Sequence, residues 1–303
     1  MKKPGLLLVL LLVTAAGGWF SLPLLATFPE LQLTTGTGNV SRGAYLARAS
    51  GCIACHTDSK GAGAALAGGA PMETAFGTFY PPNLTRDVET GIGGWNLEQF
   101  ATALRHGRSP SGKPYYPAFP YEFYTRLSDQ DIADLWAAFQ TVPPVAQDSP
   151  EHQLEFPFNL RRGVYLWQSL YFEAQRFTPQ SDKDERYNRG KFLVESATHC
   201  AACHSPRNRL GALDDSALYS GGDVADADDG KIPPITATAL TEAGWSEVDL
   251  GYALKTGVKA DGDVFGGSMA EVVREGTAYL QQRDLNAIAY YLLNRSDRPA
   301  KPL

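Results

Sequence analysis

A short cysteine motif occurs twice in this chain and constrains its fold more than any other feature. The motif, Cys-x-x-Cys-His, occupies residues 52–56 and residues 200–204, and its two copies contain all four cysteines. Cysteine pairs at this spacing can form disulfides, and four cysteines can form a zinc site. The histidine after each pair favours another interpretation, because the whole chain has only five histidines. The repeated pattern therefore predicts a c-type haem attached at each copy.

Each residue type in the motif has its own chemical role in this interpretation. The two thiols add to the vinyl groups of the porphyrin as thioethers, and the adjacent imidazole binds the iron. The sequence therefore predicts two covalently bound c-type haems as cofactors. The residues assigned to hold them are the four thiols and two histidines of the motifs: Cys52, Cys55, His56, Cys200, Cys203 and His204.

The ligand opposite each histidine decides whether a haem only transfers electrons or also binds small molecules. Met269 follows His204 in a Gly-Gly-Ser-Met segment beyond the middle helix of the second copy, where the distal loop of a small cytochrome falls. Met269 is therefore predicted to be the sixth ligand of the second haem. The alternative is a methionine that only packs in the core.

The two halves of the chain read as copies of one unit. Residues 94–107 match residues 244–257 without a gap, and an Arg-Gly pair, Arg42-Gly43 or Arg189-Gly190, precedes each motif. Repetition at a period of about 150 residues predicts two tandem domains rather than a solenoid. Apolar residues at helical spacing recur in both copies, and a capping box at Ser128–Asp131 opens one such helix. The predicted fold is therefore mainly α.

Domain boundaries follow from this repeat. The first cytochrome c domain is predicted at residues 40–142 and the second at residues 181–298. Residues 143–180 form a linker that begins at Pro143-Pro144 and carries an aromatic-rich helix. That helix either packs between the two domains or presents its aromatic side chains to a partner.

When the match between residues 94–107 and residues 244–257 is extended, the first copy has a phenylalanine where the second copy has its candidate sixth ligand. Met269 matches Phe119, and a phenyl ring cannot bind iron. The first haem then recruits another ligand, with Met72 and His106 as candidates, or keeps an open site. A single methionine or histidine in such a loop can also serve in packing or bind a propionate, so the sequence leaves these alternatives open.

The N-terminus begins with two lysines and continues with an apolar run from Leu6 to about Phe28. An apolar run of roughly 20 residues after a positive start is long enough to span a bilayer. Residues 1–30 are therefore predicted to be a retained membrane anchor; the alternative is a signal peptide cleaved near Ala15. Both place the rest of the chain on the periplasmic side of the bacterial inner membrane. The predicted architecture is two tandem class I cytochrome c domains after an N-terminal apolar helix.

Several segments resemble the cytochrome c subunits that serve membrane-bound dehydrogenases of bacteria. These segments are residues 42–49, 71–78, 87–93, 115–121 and 200–208, and the resemblance covers nearly the whole chain after residue 40. It implies a subunit that accompanies a quinoprotein alcohol dehydrogenase or a molybdenum hydroxylase. Such subunits commonly hold three haems, so the chain resembles their first two domains without the third. The alcohol dehydrogenase type usually has methionine at the position of Phe119, whereas phenylalanine also occurs in the hydroxylase type.

The predicted function is electron transfer between redox proteins. The donor would be a dehydrogenase or a quinol-linked complex, and the acceptor a downstream cytochrome or oxidase. The net charge of −6 argues against a nucleic-acid partner and favours basic proteins as docking partners. The competing hypothesis is an enzyme, a dihaem peroxidase or a thiosulfate-oxidising protein, which would use an open first haem. Binding of carbon monoxide together with turnover of peroxide would distinguish the enzyme from the electron carrier.

Overall fold

The computed structural model describes residues 17–18, 21–24, 27–29, 31–223 and 231–297. Most of the predicted N-terminal apolar helix lies outside these residues, and the described part of it contains a short 3-10 helix, Leu22–Leu24. In the described part of the chain, no helix is both long enough and apolar enough to cross a bilayer.

The chain is mainly helical in both halves, as predicted. The α-helices of the first half are α1 (Val40–Ala49), α2 (Cys52–Cys55), α3 (Leu97–His106), α4 (Tyr121–Tyr124) and α5 (Asp129–Phe139). Helix α6 (Gly163–Tyr171) lies in the predicted linker. The α-helices of the second half are α7 (Glu185–Phe192), α8 (Ala201–His204), α9 (Ala237–Glu242), α10 (Glu247–Thr256), α11 (Gly267–Glu275) and α12 (Gln282–Asn294). A π-helical turn, Leu193–Ala197, continues directly from α7.

Side chains at the helix starts satisfy the backbone N–H groups that have no partner within the helix. The capping box predicted before α5 is confirmed, since the Ser128 hydroxyl accepts from the Asp131 N–H and the Asp131 carboxylate accepts from the Ser128 N–H. Helix α3 starts with a second capping box, formed by Asn96 and Gln99. Such caps define where each helix begins and therefore which of its residues face the core.

The first and last helices of each half cross at a glycine. A Cβ atom on Gly43 of α1 would lie 1.8 Å from the backbone oxygen of Asp134 in α5. A Cβ atom on Gly190 of α7 would likewise lie 2.0 Å from the backbone oxygen of Ala287 in α12. Only glycine allows backbones to approach this closely. The Arg-Gly pair of each copy therefore positions the helix that leads into the cysteine motif.

Replacing Gly43 or Gly190 with alanine is expected to lower the free energy of unfolding by about 1–3 kcal/mol, the usual cost of overpacking. The added methyl group would meet backbone atoms, which move less readily than a flexible side chain. Denaturant unfolding of the haem-loaded protein measures the effect. Gly163→Ala in α6 is the control, because a Cβ atom there meets nothing within 4 Å. Equal decreases in the free energy of unfolding in all three variants would contradict the explanation that the added methyl group overlaps backbone atoms.

Two small β-sheets, which the sequence did not predict, complete the fold. Strands β1 (Met72–Thr74), β2 (Gly77–Phe79) and β3 (Gln153–Leu154) form an antiparallel sheet in that order. Strands β4 (Gly222–Asp223) and β5 (Lys231–Ile232) form a second antiparallel pair. The first sheet joins the loop after the first motif to the linker and so fixes the path of both segments.

Hydrogen bonds connect the two halves. The Tyr45 hydroxyl of α1 donates to the Asp284 carboxylate of α12 at 2.6 Å, and Arg189 of α7 binds the same carboxylate at 2.6 and 2.9 Å. On the other side, the Arg126 guanidinium donates to the Glu195 backbone oxygen at 3.0 Å. These contacts join α1, which leads into the first motif, to α12 of the second half, and they join Arg126 after α4 to the π-helical turn before the second motif.

Helix α6 also packs between the halves. Its buried Trp167 lies in one apolar cluster with Tyr121 of the first half and Ala212 of the second half. The indole N–H of Trp167 donates to the Leu210 backbone oxygen at 2.9 Å. The aromatic residues of this helix therefore contribute to the junction between the halves.

Candidate haem sites

Each cysteine motif folds into one short helical turn. In the first half the N–H of His56 donates to the Cys52 backbone oxygen at 3.0 Å, and in the second half the N–H of His204 donates to the Cys200 oxygen at 3.0 Å. Residues three positions apart on a helical turn lie on the same side. The two thiols of each motif therefore share a side, and the imidazole follows directly after them.

A proline carbonyl orients the imidazole in both motifs. The Nδ1 atom of His56 lies 2.7 Å from the Pro82 backbone oxygen, and that of His204 lies 2.8 Å from the Pro233 oxygen. A carbonyl oxygen can only accept a hydrogen bond, so Nδ1 carries the proton and Nε2 presents its lone pair. When one ring nitrogen of a histidine binds a metal, a hydrogen-bond acceptor at the other nitrogen fixes both the tautomer and the orientation of the ring.

Burial keeps both imidazoles neutral. It lowers the pKa of His56 to about 4, and it also lowers the pKa of His204, while the hydrogen bond to the proline carbonyl acts in the opposite direction. Neutral imidazole is the form that binds a metal ion. The two histidines are therefore in the protonation state that iron ligation requires.

The loops after the motifs are pressed against them in the same way in both halves. A Cβ atom on Gly69 would lie 1.7 Å from the Cys55 backbone oxygen, and one on Gly222 would lie 2.4 Å from the Cys203 oxygen. Glycine is therefore required at both positions. This close approach brings the segment that contains the proline carbonyl back towards the histidine.

The thiols fit covalent attachment to a porphyrin better than the other interpretations. All four cysteines are free; Cys55 and Cys203 are exposed, and Cys52 and Cys200 are half-buried. Burial raises the pKa of Cys52 to about 12 and that of Cys200 to about 11, so these groups are thiols at neutral pH. Nowhere in the described ranges do three or more His, Cys, Asp or Glu side chains converge to hold a metal ion. Paired free thiols beside an oriented neutral imidazole are the groups that c-type haem requires.

The predicted distal residues differ in their surroundings. Met269 lies near the start of α11, half-buried against the main core, and α11 packs against the α2 turn of the first motif. Phe119 lies among three tyrosine rings, with centroid distances of 5.6, 6.1 and 5.8 Å to Tyr115, Tyr121 and Tyr124. Its ring therefore belongs to an aromatic cluster in the first half.

The two alternative ligands of the first haem lie in different environments. Met72 is on strand β1, and 37% of its surface is exposed. His106 ends α3 and is buried, with its ring stacked on Phe28 at a centroid distance of 4.3 Å. Burial, together with a smaller contribution from the positive charge of Arg108, lowers the pKa of His106 to about 4. The stacking on Phe28 favours packing as the role of His106.

Sequence reasoning missed two groups of this site, the carbonyls of Pro82 and Pro233. A Pro-Pro pair does follow each motif, Pro81-Pro82 in the first half and Pro233-Pro234 in the second. This recurrence could have indicated a shared role. The sequence does not show that the backbone oxygen, rather than the proline ring, is the functional group.

Comparison with known proteins places the chain in a family. The family model for cytochrome c matches residues 40–139. A diheme cytochrome c-type protein of Cereibacter sphaeroides is 41% identical over 95% of both chains. The fructose dehydrogenase cytochrome subunit of Gluconobacter japonicus is 40% identical over 84% of this chain and 52% of its own length. The cytochrome c subunit of an alcohol dehydrogenase (quinone) of Gluconobacter oxydans is 38% identical over 87% of this chain and 55% of its own length.

The resemblance drawn from the motif segments is confirmed by these relatives. The chain spans about half the length of the two dehydrogenase subunits and nearly the whole length of the diheme protein. A cytochrome c fold implies covalently attached haem c, which agrees with the free thiols and oriented imidazoles described above. The chain belongs to the cytochrome c family and is related to the cytochrome c subunits of quinone-linked dehydrogenases.

Proposed function

We propose that this chain is a dihaem cytochrome c that transfers electrons on the periplasmic side of the inner membrane. It would receive them from a dehydrogenase or a quinol-linked complex and pass them to a downstream cytochrome or oxidase. One observation carries the proposal: beside each cysteine pair, a histidine donates its Nδ1 proton to a proline carbonyl and keeps Nε2 free. This arrangement suits an iron ligand and occurs once in each half of the chain.

We also infer that the halves are tandem class I cytochrome c domains. Beyond the shared motif, the arginine before each crossing glycine binds an aspartate of the last helix in the same half. Arg42 binds the buried Asp134, and Arg189 binds Asp284. Contacts repeated in this way support a duplicated unit in which each copy holds one haem, at Cys52, Cys55 and His56 or at the corresponding positions of the second half: Cys200, Cys203 and His204.

A bound haem would supply a one-electron couple between Fe(II) and Fe(III). The thioether bonds of the cysteines would keep the porphyrin in place between electron transfers, and the proline carbonyls would keep the imidazoles aimed at the iron. Met269, as the sixth ligand of the second haem, would leave that site without an open position and raise its potential. The chain transforms no substrate in this role, so it needs no acid, base or nucleophile.

The expected partners follow from the relatives and from charge. The related subunits are named for dehydrogenases that act on fructose and alcohol, which supports a dehydrogenase as electron donor. The net charge of −6 supports a basic docking surface on the acceptor. The apolar run after Lys2 and Lys3 supports attachment to the membrane through the N-terminus.

Isolation of the tagged chain from membranes of its native host tests the electron-transfer function. We expect a dehydrogenase to co-purify with it, and the substrate of that dehydrogenase to reduce the haems of the complex. A detergent-solubilised preparation of the chain alone, which the substrate should not reduce, is the control. A chain that is neither bound nor reduced by any dehydrogenase or quinol-linked complex would contradict the proposal.

A peroxide assay separates the electron carrier from a peroxidase. The reduced protein is expected to turn over hydrogen peroxide no faster than a Phe119→Met variant, because an electron carrier needs no open iron. In that variant a methionine stands at the position that matches Met269. Carbon monoxide binding and peroxide turnover in the wild type, both lost in Phe119→Met, would instead identify the first haem as a catalytic site.

A further inference from the structure

The segment between α10 and α12 of the second half carries Met269, the proposed iron ligand. This distal segment, residues 267–281, consists of α11, a 3-10 turn at Thr277–Tyr279 and the residues that lead into α12. Contacts around a metal ligand orient it and change how tightly it binds the metal. The residues that fix the backbone of this segment therefore affect whether Met269 stays on the iron.

The second half itself fixes the distal segment on one side. The Thr277 hydroxyl donates to the backbone oxygen of Leu254, and the Lys255 ammonium donates to the backbone oxygens of Ala278 and Leu280. Both Leu254 and Lys255 lie in the last turn of α10. These bonds attach the 3-10 turn to α10.

Arg48 of the first half fixes the distal segment on another side. Its guanidinium donates to the backbone oxygen of Glu275, the last residue of α11, at 3.4 Å, and lies 3.8 Å from the Glu275 carboxylate. The same guanidinium lies over the Tyr279 ring, 4.1 Å from its centroid. The last carbonyls of a helix have no partner within the helix and favour a cation nearby. One side chain of the first half therefore contacts both the end of α11 and the 3-10 turn.

Tyr45, three positions before Arg48, fixes the end of the distal segment. Its hydroxyl accepts from the Gln281 backbone N–H at 3.1 Å and donates to the Asp284 carboxylate at 2.6 Å. Residues three positions apart on a helix lie on the same face. One face of α1 therefore contacts the distal segment at the end of α11, at the 3-10 turn and at the start of α12.

The backbone of the first half also comes close to the distal segment. A Cβ atom on Gly276 would lie 3.5 Å from the backbone oxygen of Arg48, and α11 packs against the α2 turn of the first motif. Helix α1 ends at Ala49, three residues before Cys52. The helix that leads into the first motif is thus the one that contacts the ligand-carrying segment of the second half.

We propose that Arg48 and Tyr45 of the first half position the distal segment of the second half and thereby keep Met269 on the iron of the second haem. This inference rests on the proposed dihaem function, with Met269 as the ligand. The two are positioning residues, because they act through the backbone of residues 275–281 and not on the iron. The second haem site is then complete only when the first half is docked against it.

Competition by imidazole for the ferric iron measures how firmly Met269 is held. In the exchange the iron–sulfur bond breaks, an iron–nitrogen bond forms, and the iron stays Fe(III). Both ligands are neutral, so losing the positive charge of Arg48 changes this equilibrium less than it changes a potential. We expect Arg48→Gln and Tyr45→Phe each to raise the apparent affinity for imidazole severalfold in the intact, haem-loaded protein.

Loss of the absorption band specific to iron–methionine ligation reports the exchange. All variants are compared in a Met72→Ala background, where Met269 is the only methionine besides Met1. The band then reports the second haem alone, whatever imidazole does at the first.

Arg126→Gln is the matched control. Arg126 also joins the two halves, through its bond to the Glu195 backbone oxygen at 3.0 Å, but its partner lies outside the distal segment. This variant is expected to keep the affinity of the background protein. Unchanged affinity in both the Arg48 and the Tyr45 variants, or an equal rise in Arg126→Gln, would overturn the positioning role. A background protein without the iron–methionine band would overturn Met269 as ligand, and one with fewer than two haems would overturn the dihaem function.

Hydrogen exchange gives a second readout that needs no ligand exchange. The Gln281 backbone N–H is expected to be protected from exchange with solvent in the wild type and in Arg126→Gln, and to exchange severalfold faster in Tyr45→Phe. Equal exchange of this N–H in the wild type and Tyr45→Phe would show that the Tyr45 hydroxyl does not fix the segment, and it would overturn the proposal for that residue.

Discussion

A chain in which Cys200 and Cys203 are both replaced by alanine is expected to carry one haem where the wild type carries two. Thioether bonds are the only covalent link between a c-type haem and its protein, so removing both thiols leaves His204 as the only motif residue that can hold the porphyrin. The second haem should then be lost on purification under denaturing conditions. Haem content per chain, measured from the absorbance of the reduced pyridine complex of the haem in alkaline solution, should fall to half.

The reciprocal variant, with Cys52 and Cys55 replaced by alanine, is the matched control. It should also carry one haem, and the two variants should differ in spectrum and potential, because only the second half has a methionine that matches the distal position. Two haems remaining in either double variant would show that the haems are not attached as proposed.

Replacing Met269 with alanine is expected to lower the potential of the second haem. A thioether sulfur opposite histidine stabilises the ferrous state, and its loss leaves water or an open position in its place. Axial ligands move haem potentials over a range of roughly 0.8 V, so the shift should be large compared with other single substitutions. Spectroelectrochemical titration of the purified protein measures it, together with loss of any absorption band specific to iron–methionine ligation.

Met72→Ala provides the control for loss of a methionine. Met72 lies on the exposed strand β1, so its replacement should leave the second haem unchanged. A shift confined to the first haem in Met72→Ala would identify Met72 as the ligand there. An unchanged second potential in Met269→Ala would refute the ligand assignment and leave Met269 as a core residue.

The parts of this protein that the sequence predicts are those set by local chemistry. The fixed spacing of the cysteine motif determines a single helical turn, and the Ser128–Asp131 pair determines where α5 begins. The repeat register also predicted α10 from α3, because residues 244–257 match residues 94–107 without a gap. Sequence patterns that reflect interactions within a few residues, and that occur in both copies, can be recognised without a structure.

The parts that it does not predict depend on contacts between distant residues. The bond from His56 to the Pro82 oxygen involves a backbone atom, which every residue has, so composition does not single it out. Strand β3 pairs with β2 across more than 70 residues of sequence, and its two residues are too few to show a strand pattern. The extra residue before Cys200 is visible in the repeat, but only the structure shows that it forms a π turn and that the His199 ring lies beside Phe123 and Tyr124 of α4.

The intact mass of the purified wild-type chain, measured under denaturing conditions, tests the central claim most directly. Covalent attachment at both motifs should give the mass of the polypeptide plus two haems, and proteolysis should place one haem on the peptide with Cys52 and Cys55 and the other on the peptide with Cys200 and Cys203. A chain that matures in a cell able to attach c-type haem and still has the mass of the bare polypeptide, or of one haem only, would contradict it.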